Sequence, residues 1–531
     1  MMFETTALKH RKTFFVFTHQ SLFLVPEDEY KRICQSEDRY VCVERKNLPD
    51  AASRVMERVI CIVCHEEEKM EDLVSPLCRQ IHLAICRKCI EYLKKRTNKR
   101  EVVCPYCKEK KSDKTYQEEI ICVLFSLMPH KTLHIIELRP DTEVEMVTRL
   151  TRETKVVLDN IAVAASLFFG LMFKTVVAIR NSVSLVGDDD SLDWCIGDLG
   201  WRTSGRTQVF IGGGYTDEEM EQIRGNIKTI PKKSIQINAK EIHAVGDGVY
   251  ILLKVWAGAG EYSPDLFLKT SKKEHIEEFL KEENSSLWVG RVKRLDLGGY
   301  AVEIFPKLGL SEENEVKKLS LGSDSPAEIS EILKMENNSI WVGKVKRLEL
   351  KDYTVQILPK LRIHGENMMK ELVLNSNYPS CITKVLGAEN NSIWVGKVKR
   401  LELKYYAVEI LPKLRMHGEN VLEELVLDTY YSKQITEILK TDNSSIWVGR
   451  VEMLGLFGYA VEILPKLRIH GENVMEELRL DVFFLGHITE ILKTKDKSVW
   501  VGKVKKVRLE GLAKEIENKL DFTLIAPVDQ E

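Results

Sequence analysis

The chain has 531 residues, 78 basic and 80 acidic, for a net charge of -2 at pH 7. No global field steers such a chain toward nucleic acid or an anionic membrane, so charge has to be read locally. Of twelve cysteines, seven crowd into positions 61–107, while Cys34, Cys42, Cys122, Cys195 and Cys381 are scattered. That remainder argues against a disulfide framework, and clustered C-x2-C pairs suit metal in a reducing compartment, so a cytoplasmic or nuclear location is expected.

Residues 1–57 form an unassigned N-terminal segment. Its apolar run at 14–25 is interrupted by His19 and Gln20 and lacks a small-residue cleavage site, which argues against a secretory signal.

The next region, 58–114, orders eight metal-ligand residues as Cys61-x2-Cys64, Cys78-x3-His82-x3-Cys86-x2-Cys89 and Cys104-x2-Cys107. Thiolates and imidazole suit tetrahedral zinc, and a two-residue gap lets one turn present both sulfurs to one ion. Eight ligands at four per ion imply two zinc ions. In order and spacing the run resembles the RING zinc finger of C3HC4 type, the family of E3 ubiquitin ligases. The resemblance implies a cross-brace: Cys61, Cys64, Cys86 and Cys89 on one zinc, and Cys78, His82, Cys104 and Cys107 on the other. Closed four-ligand shells leave no site for a reactive water, so both ions would be structural.

Members of that family dock a ubiquitin-charged conjugating enzyme and hold its thioester in a reactive pose, which requires no nucleophile in the chain itself. By resemblance the docking surface comprises Ile62, Ile90, Leu93 and Pro105, with Lys108 at the linchpin position. Strongly activating members carry Arg there, whose planar fork bridges two carbonyls in a way Lys cannot.

Residues 115–232 read as an apolar helical linker followed by irregular early repeats. The run 161–179 is long enough to span a bilayer. It divides, however, into a helical piece, 161–173, and a strand-like piece, 175–179, after a possible strand at 156–158. A buried unit accommodates both without placing Lys174 in lipid, where a central charge costs about 2.5–3.5 kcal/mol. Burial is the preferred reading over membrane association.

From 233 to 515 the chain repeats. S-[LIV]-W-V-G recurs with Trp288, Trp341, Trp394, Trp447 and Trp500 each 53 residues apart. The leading apolar residues of successive L-x-L phrases are Leu266, Leu295, Leu319, Leu348, Leu372, Leu401, Leu425, Leu454, Leu478 and Val507, in steps alternating between 29 and 24. Upstream, 209–211 and 235–237 look like worn versions of the same alternation. Both steps and the phrase V-x-x-L-x-L followed by I-L-P-K-L resemble leucine-rich repeats, without the asparagine that family places after its strand. The implied fold is an α/β solenoid of leucine-rich-like repeats beside the small zinc-stabilised RING domain, closed by a tail at 516–531.

Several repeated residues have plain structural explanations. The tryptophans fill one core or edge position, His364, His417 and His470 are turn residues, and the sequons at Asn284, Asn337, Asn390 and Asn443 fall in turns. Before each L-x-L the residue alternates in sign from Arg347 through Glu371 and Arg400 to Glu424. In a parallel stack these would pair, each pair contributing about 0.2–1 kcal/mol. A neutralised face argues against nucleic acid, which needs unpaired cations, and favours protein partners.

The reading that follows is a RING-type ubiquitin transferase whose repeat array selects protein substrates, with two zinc ions as its cofactors and ubiquitin and a conjugating enzyme as partners. Lys108 keeps a second reading open, a non-catalytic zinc-containing interaction scaffold.

Overall fold

The computed structural model describes residues 7–18, 21–34, 42–44, 59–61, 63–69, 73–76, 85–97, 129–187, 194–201, 208–256, 263–310, 315–363 and 367–525. They belong to two units, Met1–Ala239 with Lys254–Ala257, and Lys240–Leu253 with Gly258–Glu531.

In the first unit, the apolar run at 14–25 becomes strands Thr13–Phe17 and Leu22–Pro26 of an antiparallel hairpin. Phe14, Val16, Phe23 and Val25 pack with Val147 in its core. Two short parallel ladders follow. Ile135–Leu138, Lys155–Leu158 and Val176–Ile179 form one; Ile161–Ala164, Val183–Val186 and Ile235–Asn238 form the core of the other.

The expected helix at 161–173 therefore begins four residues late. Ile161–Ala164 is a strand, and the helix is Ala165–Lys174. The β-branched Ile161 and Val163 suit the pleated surface, whereas Leu167, Phe168, Phe169, Leu171 and Met172 carry the helix into the core. Among the described residues, no helix is long and apolar enough to cross a membrane. Lys174 is 2% exposed and is neutralised by Glu219 at 2.8 Å. Burial opposes ionisation of Glu219, but the Lys174 ammonium outweighs it and holds the carboxyl below its ordinary value. The end of the apolar helix is sealed by Asn226, whose Nδ2 donates to the carbonyls of Met172 at 2.7 Å and Thr175 at 2.8 Å. Region 115–232, read as an apolar helical linker and irregular early repeats, alternates short strands with the helices Ala165–Lys174 and Asp217–Thr229 in its described part.

The second unit is built on one long parallel sheet. The L-x-L series forms it residue for residue: Leu266 pairs with Leu295, Leu295 with Leu319, and so on through Leu401 with Leu425 to Leu478 with Val507. Alternate residues of a strand face opposite sides, so both leucines of each phrase point one way, and from Leu295 to Leu480 they are buried. Ile235–Asn238 is not part of this ladder, which corrects the expectation for the second of the two upstream segments, 209–211 and 235–237. Its place beside Leu266 is taken by Ile242 of strand Glu241–Val245. At the other end, the turn Leu512–Lys519 and strand Leu520–Leu524 continue the repeat pattern into the expected tail.

Between strands the chain returns through 3-10 turns such as Tyr406–Lys413 and short helices such as Thr436–Leu439. In four of these turns the proline accepts a backbone hydrogen bond from a residue within the sequon: Ser285 on Pro306, Asn338 on Pro359, Asn391 on Pro412 and Ser444 on Pro465. Those four donors have positive φ, from 54° to 59°, a conformation Asn tolerates better than most residues. Asparagine also serves where none was expected. In the H-G-E-N turns, Asn420 accepts from the amide of Val398 and donates to its carbonyl, and Asn473 does the same for Val451. Asn367 donates to the carbonyl of Val345. An asparagine ladder is present, ahead of the next L-x-L strand and not behind it.

Four successive 3-10 turns each bury one carboxyl or amide at a single repeat position, whereas in the last turn the equivalent Glu515 is exposed. Glu409 accepts from the amides of Glu437 and Ile438, Glu462 from that of Glu490, and Glu303 from that of Glu331. These acids satisfy otherwise orphaned N–H groups at the starts of short helices. At the same position Gln356 donates to the carbonyl of Ser380. Burial pushes the Glu409 carboxyl up to about 7 against the opposing backbone donors, and raises that of Glu462. The folded chain therefore keeps protons that the unfolded chain releases, and the stability these two groups contribute falls as pH rises, for Glu409 from about 4.5 through about 7. Glu409→Gln with Glu462→Gln should gain melting temperature relative to the parent between pH 5 and pH 8; a difference that does not vary over that window would refute the assignment.

Candidate metal centre

Cys61 follows the short strand Val59–Ile60, which pairs antiparallel with Glu67–Glu68. The intervening turn is closed by two backbone bonds, Cys61 N–H to Glu66 O at 2.9 Å and His65 N–H to Cys61 O at 2.8 Å. His65 has φ of 60° and is exposed, so it shapes the turn and stands outside the sulfur cluster. The tight turn is what a two-residue gap requires to bring Cys61 and Cys64 to one point.

The other pair comes from a strand-to-helix junction. Cys86 ends strand Ile85–Cys86 and Cys89 lies in the first turn of helix Arg87–Thr97. That turn contains no acidic residue, so the positive end of the helix is left to favour a thiolate.

The four sulfurs of Cys61, Cys64, Cys86 and Cys89 lie within 4.8 Å of one another. Cys64 Sγ and Cys86 Sγ are 3.9 Å apart. Zinc–sulfur bonds of about 2.3 Å in a tetrahedron place sulfurs roughly 3.8 Å apart, so the cluster has the size the ion requires. The amide of Cys86 donates to Cys61 Sγ at 3.2 Å, a contact that C-x2-C spacing alone does not disclose. Together with Cys61 and Cys86, which are buried, it supplies the outer layer that orients sulfur ligands.

The acid–base chemistry of the donor set points the same way. Burial alone would raise the Cys61 thiol, but amide donors from Cys64, Cys86 and Val63 outweigh it and bring the thiol down to about 7. Burial and neighbouring sulfurs push the Cys89 thiol up, and burial raises that of Cys86. The Cys61 thiolate forms readily, while Cys86 and Cys89 resist, through burial first and the crowding of neighbouring sulfurs second. A bound cation removes that conflict and deprotonates coordinating thiols outright. The residues present fit a metal ion held by four sulfurs, a closed shell suited to structure.

Of the remaining sequence-derived candidates, Cys78, His82, Cys104 and Cys107 lie outside the described residues, as do Ile62, Pro105 and Lys108. Ile90 and Leu93 fall on helix Arg87–Thr97, one and four residues beyond Cys89. No protein-family model, no curated protein and no solved structure matches the chain.

Metal analysis of the purified chain checks the centre. Cys61→Ser and Cys64→Ser should each lower bound metal by at least one equivalent per chain, and an unchanged content would contradict a four-sulfur site.

Proposed function

We propose that the chain is a RING-type E3 ubiquitin-protein ligase, in which two zinc ions brace the region 58–114 and the long parallel sheet is a leucine-rich-like solenoid that selects protein substrates. The four-sulfur cluster carries this reading. It joins the first and third ligand pairs of the run, the interleaved pairing that a cross-brace requires, and leaves Cys78, His82, Cys104 and Cys107 as the complementary set.

Zinc in this arrangement supplies folding energy and no reaction chemistry. A module of about fifty residues buries too little surface to be stable alone, and structural zinc offers apparent binding energies of about 10–16 kcal/mol. Catalysis then consists of positioning. Ile62, Pro105 and the helix bearing Ile90 and Leu93 would hold the charged conjugating enzyme, while Lys108 would contact its ubiquitin. The array contributes by keeping a captured protein near the thioester, an effective-concentration effect that requires no side chain to react.

The assay is autoubiquitination by the full chain with a panel of conjugating enzymes, alongside Ile62→Ala and Cys61→Ser. Conjugates from the parent, reduced at least tenfold in Ile62→Ala with its zinc retained, are the expected result. Absence of conjugates across the panel, with two zinc ions bound per chain, would replace this reading with the non-catalytic scaffold.

A further inference from the structure

Charge is handled in opposite ways at two places in the repeat array. Beside the L-x-L leucines, Arg347 pairs with Glu371, Glu371 with Arg400 at 3.4 Å, and Arg400 with Glu424 at 2.7 Å. Lys318 pairs with Glu349, and Lys506 with Glu477 at 3.5 Å. This strip is neutralised from within.

The tryptophan strip is not. Trp341, Trp394 and Trp447 stand opposite Arg362, Arg415 and Arg468 in strand register. The guanidiniums lie over the indoles at 5.5, 5.2 and 5.3 Å from their centres. The flanking residues point inward, as Ile393 and Val395 do, whereas Trp341 is 44% and Trp447 43% exposed. The tryptophans thus take an edge position and not a core one. All three arginines are exposed, and among the described residues none has a carboxylate within ion-pair distance. The pattern stops at both ends, where Trp288 faces Gly309 and Trp500 faces Asp521.

Between the second stack and the third, a cavity of about 450 Å³ is bounded by Arg415, His417, Trp447, Arg450 and His470. Glu419 is the single carboxylate among its lining residues, and among the described residues the ion-pair partner of Arg450 is Glu472, at 3.8 Å. The cavity is therefore cationic and aromatic, and shaped to receive a side chain.

We propose that this strip binds an extended acidic protein segment carrying a carboxylate at every third residue. The stacks recur on every second strand, roughly 10 Å apart at about 4.8 Å per strand. A peptide in the extended polyproline II conformation advances about 3.1 Å per residue with three residues per turn, so every third side chain lies on one face and meets the next stack. Each guanidinium lies over an indole without an ion-pair partner among the described residues, so its fork is available to grip a carboxylate through two parallel bonds. Single-stranded nucleic acid fits less well, because the ring faces on which bases would stack are covered by arginine. The inference concerns binding alone and stands whether or not the zinc module is a ligase.

Fluorescence anisotropy with the full chain and no conjugating enzyme tests it. The probe is a labelled peptide with Glu at every third position among Ser and Pro, compared with one of the same composition with irregular Glu spacing and with oligothymidine. The regular peptide should bind best, and Arg362→Gln, Arg415→Gln and Arg468→Gln combined should weaken it at least tenfold, while Arg400→Gln leaves it unchanged. Should the triple variant melt early, Arg415→Gln alone should still weaken binding severalfold. Equal binding by parent and variants, or tighter binding of oligothymidine than of the regular peptide, would overturn the proposal.

Discussion

The hydrogen-bonded register between successive L-x-L strands is the constraint on which the repeat array depends. A strand whose leucines slip by one residue turns both to the wrong side, because side chains alternate with a period of two. No period can bury its leucines alone; each strand needs the strands before and after it. The consequence is visible at the end of the ladder, where Val507 and Leu509 are only half-buried while their counterparts Leu478 and Leu480 are fully buried. The buried glutamates, the turn asparagines and the proline carbonyls all serve this register by satisfying the backbone of the return path.

Periodicity made that sheet legible in the amino-acid sequence. The alternation of 29 and 24 residues located every pairing from Leu266 to Val507 because a repeated apolar phrase leaves only one register that buries all its members. The same logic failed at 235–237, whose Ile-x-Ile phrase is as good a strand as its neighbours. Pattern shows that a segment is a strand; it does not say which sheet recruits it. Ile242 was overlooked because its phrase, Ile-His-Ala, carries a small residue where the others carry leucine. Asn420 and Asn473 were overlooked for a different reason. Their bonds to Val398 and Val451 span 22 residues, and no local sequence signal marks a contact at that distance.

At the metal centre, ligand spacing was enough to nominate Cys61, Cys64, Cys86 and Cys89, and the fold brings these four together. Spacing does not encode how they are prepared. The amide of Cys86 on Cys61 Sγ, and the helix that starts between Cys86 and Cys89, arise from local backbone geometry. The tryptophans show the converse: five phrases of the form S-[LIV]-W-V-G suggested a core or edge position, and strand pairing alone shows that the middle three, Trp341, Trp394 and Trp447, lie beneath arginines.

These elements divide the chain between a four-cysteine cluster of a size to hold a metal ion and a long sheet held by a register of leucines. The most direct test is single-turnover discharge of a ubiquitin-charged conjugating enzyme by the full zinc-loaded chain. Faster loss of the thioester than from the conjugating enzyme alone, abolished by Cys61→Ser, is the predicted result. A thioester that persists unchanged beside the intact, zinc-loaded protein, for every conjugating enzyme tried, would contradict the account.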